Sequence, residues 1–568
     1  MQTMVLNNNT YWWILFILLL LMAAVLFLLK PIMRYLIKRI TNDAMGKLLT
    51  DQYTQNIAET LPSLKRFSVL NFIEMSLRAQ RGKILTRPLG SPKHFPGYDL
   101  LMFSPRQMGR MSLSEEAPID MSVILGQHAE KPLKIKIPLM IGGMAYGTAL
   151  SERAKIALAR ASANLNTATN SGEGPFLPEE PGEAGKFVLQ ICRWSWGART
   201  DEQIDSADML EVQMGQGADL GVSVIEAAEF SGRARVLGGL EPGEPAVGLA
   251  APPGIQKSED WPVFMKKLRQ RARGIPIALK IMATGHLEED LAIAVELGFD
   301  VVVIDGAEGG SHATPPIKQD DFGIPSLYAL SRAKRFLQGH SVSLVVGGGY
   351  YTPGQCLKAL ALGADAIYLA TVPLFALGHN QLPKVIPWEP PTTLVYYNSP
   401  DKNKLDINQA ATSVTNVLRA MILEMEEAMR ALGKSSLQDL SLDDLVALDG
   451  LSAEMTGVRS LVAQPAPPPP CVLMTVNDTK KTERERQSQT PTKGKQEEAQ
   501  EDGSFLDKRL IKEQLQLIRV LKEENRRMWR VIDRHIRFLH KRSARSPAAK
   551  RSTAKHNKQD KDGENRPC

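Results

Sequence analysis

Residues Leu139–Gly174 read LMIGGMAYGTALSERAKIALARASANLNTATNSGEG. A short apolar run, Pro138 to Ile141, ends in Gly142-Gly143. The spacing then predicts a helix from Ser151 to about Ala163. A second apolar segment runs out into Asn170-Ser171-Gly172-Glu173-Gly174. Two strands joined by one crossover helix make a βαβ unit. Both strand exits are rich in glycine, where a ligand can lie against bare backbone.

The same rhythm continues downstream. Apolar runs of strand length recur at Pro138–Ile141, Leu165–Thr169, Phe187–Ile191, Met209–Gln213, Ile277–Met282, Val301–Asp305, Val342–Val346 and Ala366–Ala370. Helical patterns separate several of them: Ser151–Ala163, Asp260–Arg273, Glu288–Leu297, Ile324–Leu337 and Pro353–Leu362. Eight such runs with helices between them predict an α/β fold, a (β/α)8 TIM barrel. The interval from Gly215 to Gly274 is too long for a plain βα step, so it carries an inserted loop. Further helices are expected over 379–460, the clearest at Asn408–Leu432.

The flanks read differently. Tyr11–Leu29 holds 19 consecutive residues without a charge, enough for a transmembrane helix. Tyr11, Trp12 and Trp13 lie where an interfacial aromatic belt would sit, and Lys30, Arg34, Lys38 and Arg39 follow at once. A cleaved signal peptide is the alternative, but no basic n-region precedes the run and no small-x-small site follows it. The expectation is a single-pass membrane anchor, with the N-terminus outside and the body cytoplasmic. The chain then divides into an anchor with its basic flank (1–40), a lead-in (41–136), the barrel (137–380), a helical extension (381–462), a Pro-rich and polar disordered linker (463–504), a heptad helix (505–542) and a basic tail (543–568). In Phe505–His540, Ile511, Ile518, Asn525, Ile532 and Leu539 fall seven apart. That predicts either a short coiled coil joining a homo-oligomer or an amphipathic helix docked on its own body. The tail either touches anionic lipid or is simply solvated.

Composition narrows the chemistry. The 568 residues are 43% hydrophobic and 23% charged, with a net charge of +7. The excess lies largely in the tail and just after the first apolar run, without basic-aromatic interleaving, which argues against nucleic acid. Cys192, Cys356, Cys471 and Cys568 are far apart and none forms a CxxC pair. No metal site, Fe–S cluster or disulfide framework is expected.

In a barrel of this kind the site lies at the C-terminal strand ends. Gly347-Gly348-Gly349 and Ala370-Thr371 follow the seventh and eighth runs, the usual phosphate-binding corner; the alternative is a tight turn. Lys280 sits inside an apolar run, so it is either paired in a structural ion pair or faces an anion. A flavin fits, because a cation near its N1/O2 edge stabilises the reduced ring. Glu173 is either a general acid/base that can also hold a substrate amine, or an exposed turn residue. His312 lies in a glycine-rich loop near the same mouth and is either a site residue or structural.

These strand ends, over roughly residues 90–430, resemble the FMN-binding synthase domain of glutamate synthase. Asn170–Gly174, NSGEG, is close to the family's SGEGG. Leu210–Ala218, LEVQMGQGA, resembles I-E-I-K-x-A-Q-G-A, and Ala278–Ile281, ALKI, resembles V-K-L-V. Ile304–Pro315, IDGAEGGSHATP, resembles I-S-G-x-D-G-G-T-G-A-S-P. Leu344–Ala370 resembles the family's A-D-G-G-L-K-T-G segment and its later L-G-A-x-x-x-x-x-G-T.

The resemblance implies FMN at the barrel mouth. Cofactor-binding positions would be Gly143, Met144, Ala145, Ser171, Gln216, Lys280, Gly309, Gly310, Gly348, Gly349, Ala370 and Thr371. Glu173, Gln213 and His312 would face substrate, with Glu173 and Lys280 catalytic. The implied reaction is reductive amination, in which hydride from reduced FMN converts 2-iminoglutarate to an amino acid. Electrons would come from an external donor or reductase, since no dinucleotide fingerprint appears. The alternatives are a non-catalytic flavin-binding scaffold or redox sensor, and an FMN barrel acting on another small acid.

Several positions depart from the family pattern. The cysteines of its Fe–S centre are absent from VPLFALGHNQLPKVIPW, residues 372–388. The lysine of I-E-I-K is Gln213, and the aspartate of D-G-G is Gly347. The segment K-P-G-E-G-G is replaced from Asp219 onward by Asp219-Leu220-Gly221-Val222. The glutaminase domain is not found in this sequence.

Overall fold

The computed structural model describes residues 8–52, 56, 60–311, 314–386 and 389–462. Its centre is a closed barrel of eight parallel strands. They are β1 (Leu139–Ile141), β2 (Ala168–Asn170), β3 (Lys186–Ile191), β4 (Met209–Gln213), β5 (Ile277–Met282), β6 (Val301–Asp305), β7 (Ser343–Gly347) and β8 (Ala366–Leu369). Each pairs with its neighbour in sequence, and β8 returns to β1. The helices around the barrel include α1 (Glu152–Leu165), α2 (Trp261–Ala272), α3 (Leu287–Glu296), α4 (Ser326–Leu337), α5 (Pro353–Ala361) and α6 (Thr371–Gly378). After them comes α7 (Ile407–Ala431). The α/β barrel expected from the apolar runs is thus present.

Local chemistry explains the boundaries. Ser151 caps α1 by accepting from the Ala154 N–H at 3.3 Å, a contact worth about 1 kcal/mol. Asn166 ends the helix in the left-handed conformation. Thr352 caps α5 in the same way through Gln355 N–H, with the Gln355 side chain returning to the Thr352 N–H.

Strand periodicity sorts the side chains into two cores. Along β6, Val302 and Ile304 join the cluster between strands and helices. Val301 and Val303 point inward with Met140, Ala168, Val188, Met209, Ala278, Val345, Ala366 and Tyr368. Two residues further along β2 to β6, the same inward row turns polar: Asn170, Gln190, Glu211 with Gln213, Lys280 and Asp305. The apolar layer is the floor of the barrel, and the polar layer above it opens on the mouth.

The lead-in reaches both ends of the barrel. A hairpin of Val123–Leu125 and Leu133–Ile135 joins the inner apolar cluster at the N-terminal strand ends. Nearer the start, the Arg87 N–H donates to Thr314 O and the Leu89 N–H to Ser311 O, both in the loop after β6. The interval after β4 holds the expected insertion, including an antiparallel pair Ser223–Ile225 with Ala246–Gly248. Helix α7 lies along α1, with Arg160 donating to Asn408 and Asn164 to Thr415.

One expectation is corrected. Asn8–Thr50 forms a single 43-residue helix. Among the described residues, no helix is long and apolar enough to cross a membrane. The single-pass anchor over Tyr11–Leu29, the outside N-terminus and the tethered cytoplasmic body are therefore withdrawn. The apolar run is not a bounded element: its helix continues without a break through Pro31 and a basic half bearing Arg34, Lys38, Arg39 and Lys47. The linker, the heptad helix Phe505–His540 and the tail lie outside the described residues, as does His312.

Candidate active site

A cavity of about 750 Å³ opens at the C-terminal strand ends, within the usual range for cofactor and small-ligand sites. Gly143, Met144 and Ala145, after β1, form part of its wall, as do Gly310, Ala370 and Thr371. Glu173, Gln190, Gln216, Asp219 and Trp194 are among its polar and aromatic members. Leu89 of the lead-in also reaches the cavity, from a backbone with φ of 70°.

The exit of β2 is built from below. Lys155 of α1 is fully buried and pairs with Glu180 at 2.8 Å. Its ammonium also donates to the carbonyls of Asn170 and Ser171, at 2.9 and 3.2 Å. Arg199 donates to Gly174 O and to Gln190 O. Two buried cations thus hold the carbonyls of the loop that carries Glu173. Gly172 is required there: its φ is 67°, and a Cβ would stand 2.6 Å from Ala145 N. The loop therefore lies directly against the β1 exit.

Glu173 lines the cavity and accepts from Gln213 Nε2 at 3.2 Å. Burial raises its carboxyl to about 7, and the charge of Asp219 pushes the same way. Arg193 and hydrogen bonds from Trp194 and Gln213 oppose the shift. Asp219 in turn faces Arg193 at 3.6 Å.

Lys280 is buried and stands 3.4 Å from Asp305. Its ammonium lies 5.7 Å from the centre of the Tyr368 ring. Burial alone would lower its pKa, but Asp305 and Glu211 outweigh that and hold it above the usual value. The parallel register accounts for the grouping, since Lys280 pairs with Gln213 on one side and Val303 on the other. Asp305 is level with Gly347, where a Cβ would meet the Asp305 carboxylate at 2.1 Å. The carboxylate therefore comes from β6, opposite the residue where the resembling motif places an aspartate on β7.

The other expected residues divide into two groups. Ser171 is buried: it accepts from Gln190 N–H and donates to Gly172 O. Gly309, Gly348 and Gly349 are not among the residues that line the cavity. Gly348 has φ of 89°, and a Cβ there would be 2.9 Å from Gly306 N and O. Sequence reasoning missed Gln190, Glu211, Asp219 and Arg193 as site residues. Glu211 accepts from Asn170 and Gln190 at 2.9 and 2.7 Å. The signal for Glu211 was the one that singled out Lys280, a charged residue inside a buried strand. Arg193 had no such signal, because it lies just past β3.

A closed parallel barrel whose mouth pairs a ligand-sized cavity with a buried acid and a buried lysine is the arrangement of a small-molecule enzyme. Residues 98–435 match the family described as a conserved region in glutamate synthase, and the chain belongs to that oxidoreductase family. A glutamate synthase large subunit-like protein of Rhizobium meliloti is 32% identical, over 69% of this chain and 93% of its own. An archaeal-type glutamate synthase (NADPH) of Dehalococcoides mccartyi is 28% identical, over 67% of this chain and 82% of its own. Among solved structures, a mandelate oxidase variant with (S)-mandelic acid aligns over 60% of this chain and 84% of its own, at 17% identity and a TM-score of 0.40.

Proposed function

We propose that this protein is an FMN-dependent oxidoreductase that reduces the C=N bond of a small 2-imino compound. The observation that carries the reading is Glu173: a carboxyl poised near neutrality on the wall of the barrel-mouth cavity.

The residues present fit the cofactor. Gly143, after β1, and Gly310, after β6, bring bare backbone to the cavity wall. The first N–H groups of α6, from Thr371, form a positive helix end suited to a phosphate. Gly143, Met144 and Ala145 would lie under the ring, with Gly348, Gly349, Ala370 and Thr371 toward the phosphate. Lys280 would act on the ring's electronics. FMN, when bound, supplies the hydride for reduction of the imine carbon.

The chain's own part is proton handling and orientation. An imine gains one hydride at carbon and one proton at nitrogen to become an amine. Glu173 can deliver that proton, since an acid with a pKa near the working pH serves well in both directions. Gln213 holds the carboxyl in place. Electrons would come from a separate donor or reductase, and the ammonia or amine that forms the imine from solution or a partner.

The test is a stopped-flow experiment on the full-chain holoprotein, reduced anaerobically. It is mixed with ammonia and a panel of 2-oxo acids, 2-oxoglutarate among them. Reoxidation coupled to amino acid formation, and at least about a hundredfold slower in Glu173→Gln, is the expected outcome. Reduced flavin that persists with every imine would sink the reading and leave a flavin-binding scaffold.

A further inference from the structure

The described cavity wall carries three carboxylates, Glu173, Asp219 and Glu229, and neither a lysine nor an arginine. The nearest cations lie behind that wall, and Arg193 Nε has no hydrogen-bond partner among the described residues. Arg193, buried, faces Asp219 and donates to Gly221 O at 2.7 Å. Lys280, also buried, faces Asp305.

Two buried acceptors near the site are also unpaired. Gln213 Oε1 and Glu211 Oε2 are buried side-chain oxygens without a hydrogen-bond partner among the described residues. Gln213 is wholly buried and bonds Glu173 through its other amide atom. Buried acceptors left unpaired call for a donor. Trp194, Ile225, Phe230 and Leu374 add apolar and aromatic surface among uncharged polar residues. Trp194 stacks on Trp196 at 5.3 Å, and Trp196 on Phe230 at 5.5 Å.

A dicarboxylate would place its negative charges beside Asp219 and Glu229, on a described wall that carries no lysine or arginine. An ammonium would meet Asp219, supply N–H donors and find an aromatic face nearby. Gln213 and Asp219 stand where the resembling motif has lysines, so both departures act in the same direction.

We propose that the substrate presents a protonated amine, rather than a second carboxylate, to Asp219, with Glu173 left to the imine nitrogen. The substrate class is therefore an amine or amino acid with a cationic distal end. This rests on the amine/imine reading of the same site and narrows it.

Calorimetric titration of the full-chain protein above neutral pH tests it, with glutarate and 5-aminopentanoate as probes of matched length. The amine is expected to bind about tenfold or more tightly than the dicarboxylate. Asp219→Lys is expected to invert that preference, and the conservative Asp219→Asn to shrink it; thermal melting of each variant checks that it folds. Equal or tighter binding of glutarate by the unaltered protein overturns the proposal, as does failure to bind the amine. So does an unchanged preference in a folded Asp219 variant. Flavin content is read by absorbance on the same samples. Loss of flavin with the amine preference intact would count against the FMN reading alone. Glutarate preference with flavin present would count against this inference alone.

Discussion

Lys280 and Glu173 are both ionisable residues at the barrel mouth, and their environments drive them in opposite directions. Lys280 keeps its charge because Asp305 stands 3.4 Å away. Lys280→Met would leave that carboxylate buried without its partner, a change that costs about 3 kcal/mol or more. Urea unfolding is expected to show the loss, and flavin titration a weaker affinity. Lys280→Met/Asp305→Leu should recover much of the stability but not the flavin affinity. Glu173 is held above its ordinary value, at about 7. Asp219, Arg193, Trp194, Gln213, Lys280 and Cys192 are the groups that face it. Between the ordinary glutamate value and that raised value, the folded chain keeps a proton that the unfolded chain has released. Stability from this group is therefore full at acid pH and falls as pH rises through that window. Glu173→Gln should raise stability above neutral pH by up to about 2 kcal/mol, and leave it little changed in acid. Thermal melts at both ends of the window check the sign.

The loop after β2 shows how one element positions that acid. Its carbonyls rest on the Lys155 ammonium, which Glu180 neutralises at 2.8 Å. Lys155→Met should cost about 3 kcal/mol by stranding Glu180, and should slow imine reduction further by releasing the loop. A double variant, Lys155→Met/Glu180→Leu, would restore stability without restoring rate. A structural role alone would restore both. Gly172→Ala would place a Cβ 2.6 Å from Ala145 N, at φ of 67°. A loss of about 1–3 kcal/mol is expected, with flavin affinity falling alongside it. Much of this element was legible in the sequence. The apolar runs marked the strands to within a few residues because each is bounded by glycine or a cap. Gly142–Ala145 and Asn170–Gly174 stood out because glycine punctuates strand ends. Lys155 did not, since one lysine in a helix looks solvated until tertiary packing buries it. Asp219 and Arg193 were unreadable for the same reason: the insertion after β4 folds back on the mouth, and no periodic signal predicts that return.

Across the whole barrel, function follows from the layering of inward side chains. The floor is valine, alanine and methionine, sealed at the N-terminal end by the hairpin Val123–Leu125 with Leu133–Ile135. The layer above is polar, and the cavity opens from it. Strand period therefore decides both where the fold is stable and where chemistry can occur. The loop bearing Leu89 crosses to Ser311 and Thr314, so the lead-in helps wall the mouth. Family membership sets the reaction class, while the local charge sets this chain apart from the family motif. Everything functional in this account depends on flavin at that mouth. The most direct measurement is equilibrium titration of the full-chain protein with FMN, followed by fluorescence quenching, beside Gly348→Val. One FMN is expected to bind per chain, with affinity at least about a hundredfold lower in Gly348→Val, whose side chain would drive into Gly306. Absence of saturable FMN binding by the unaltered protein, or equal binding by a folded Gly348→Val variant, would contradict it.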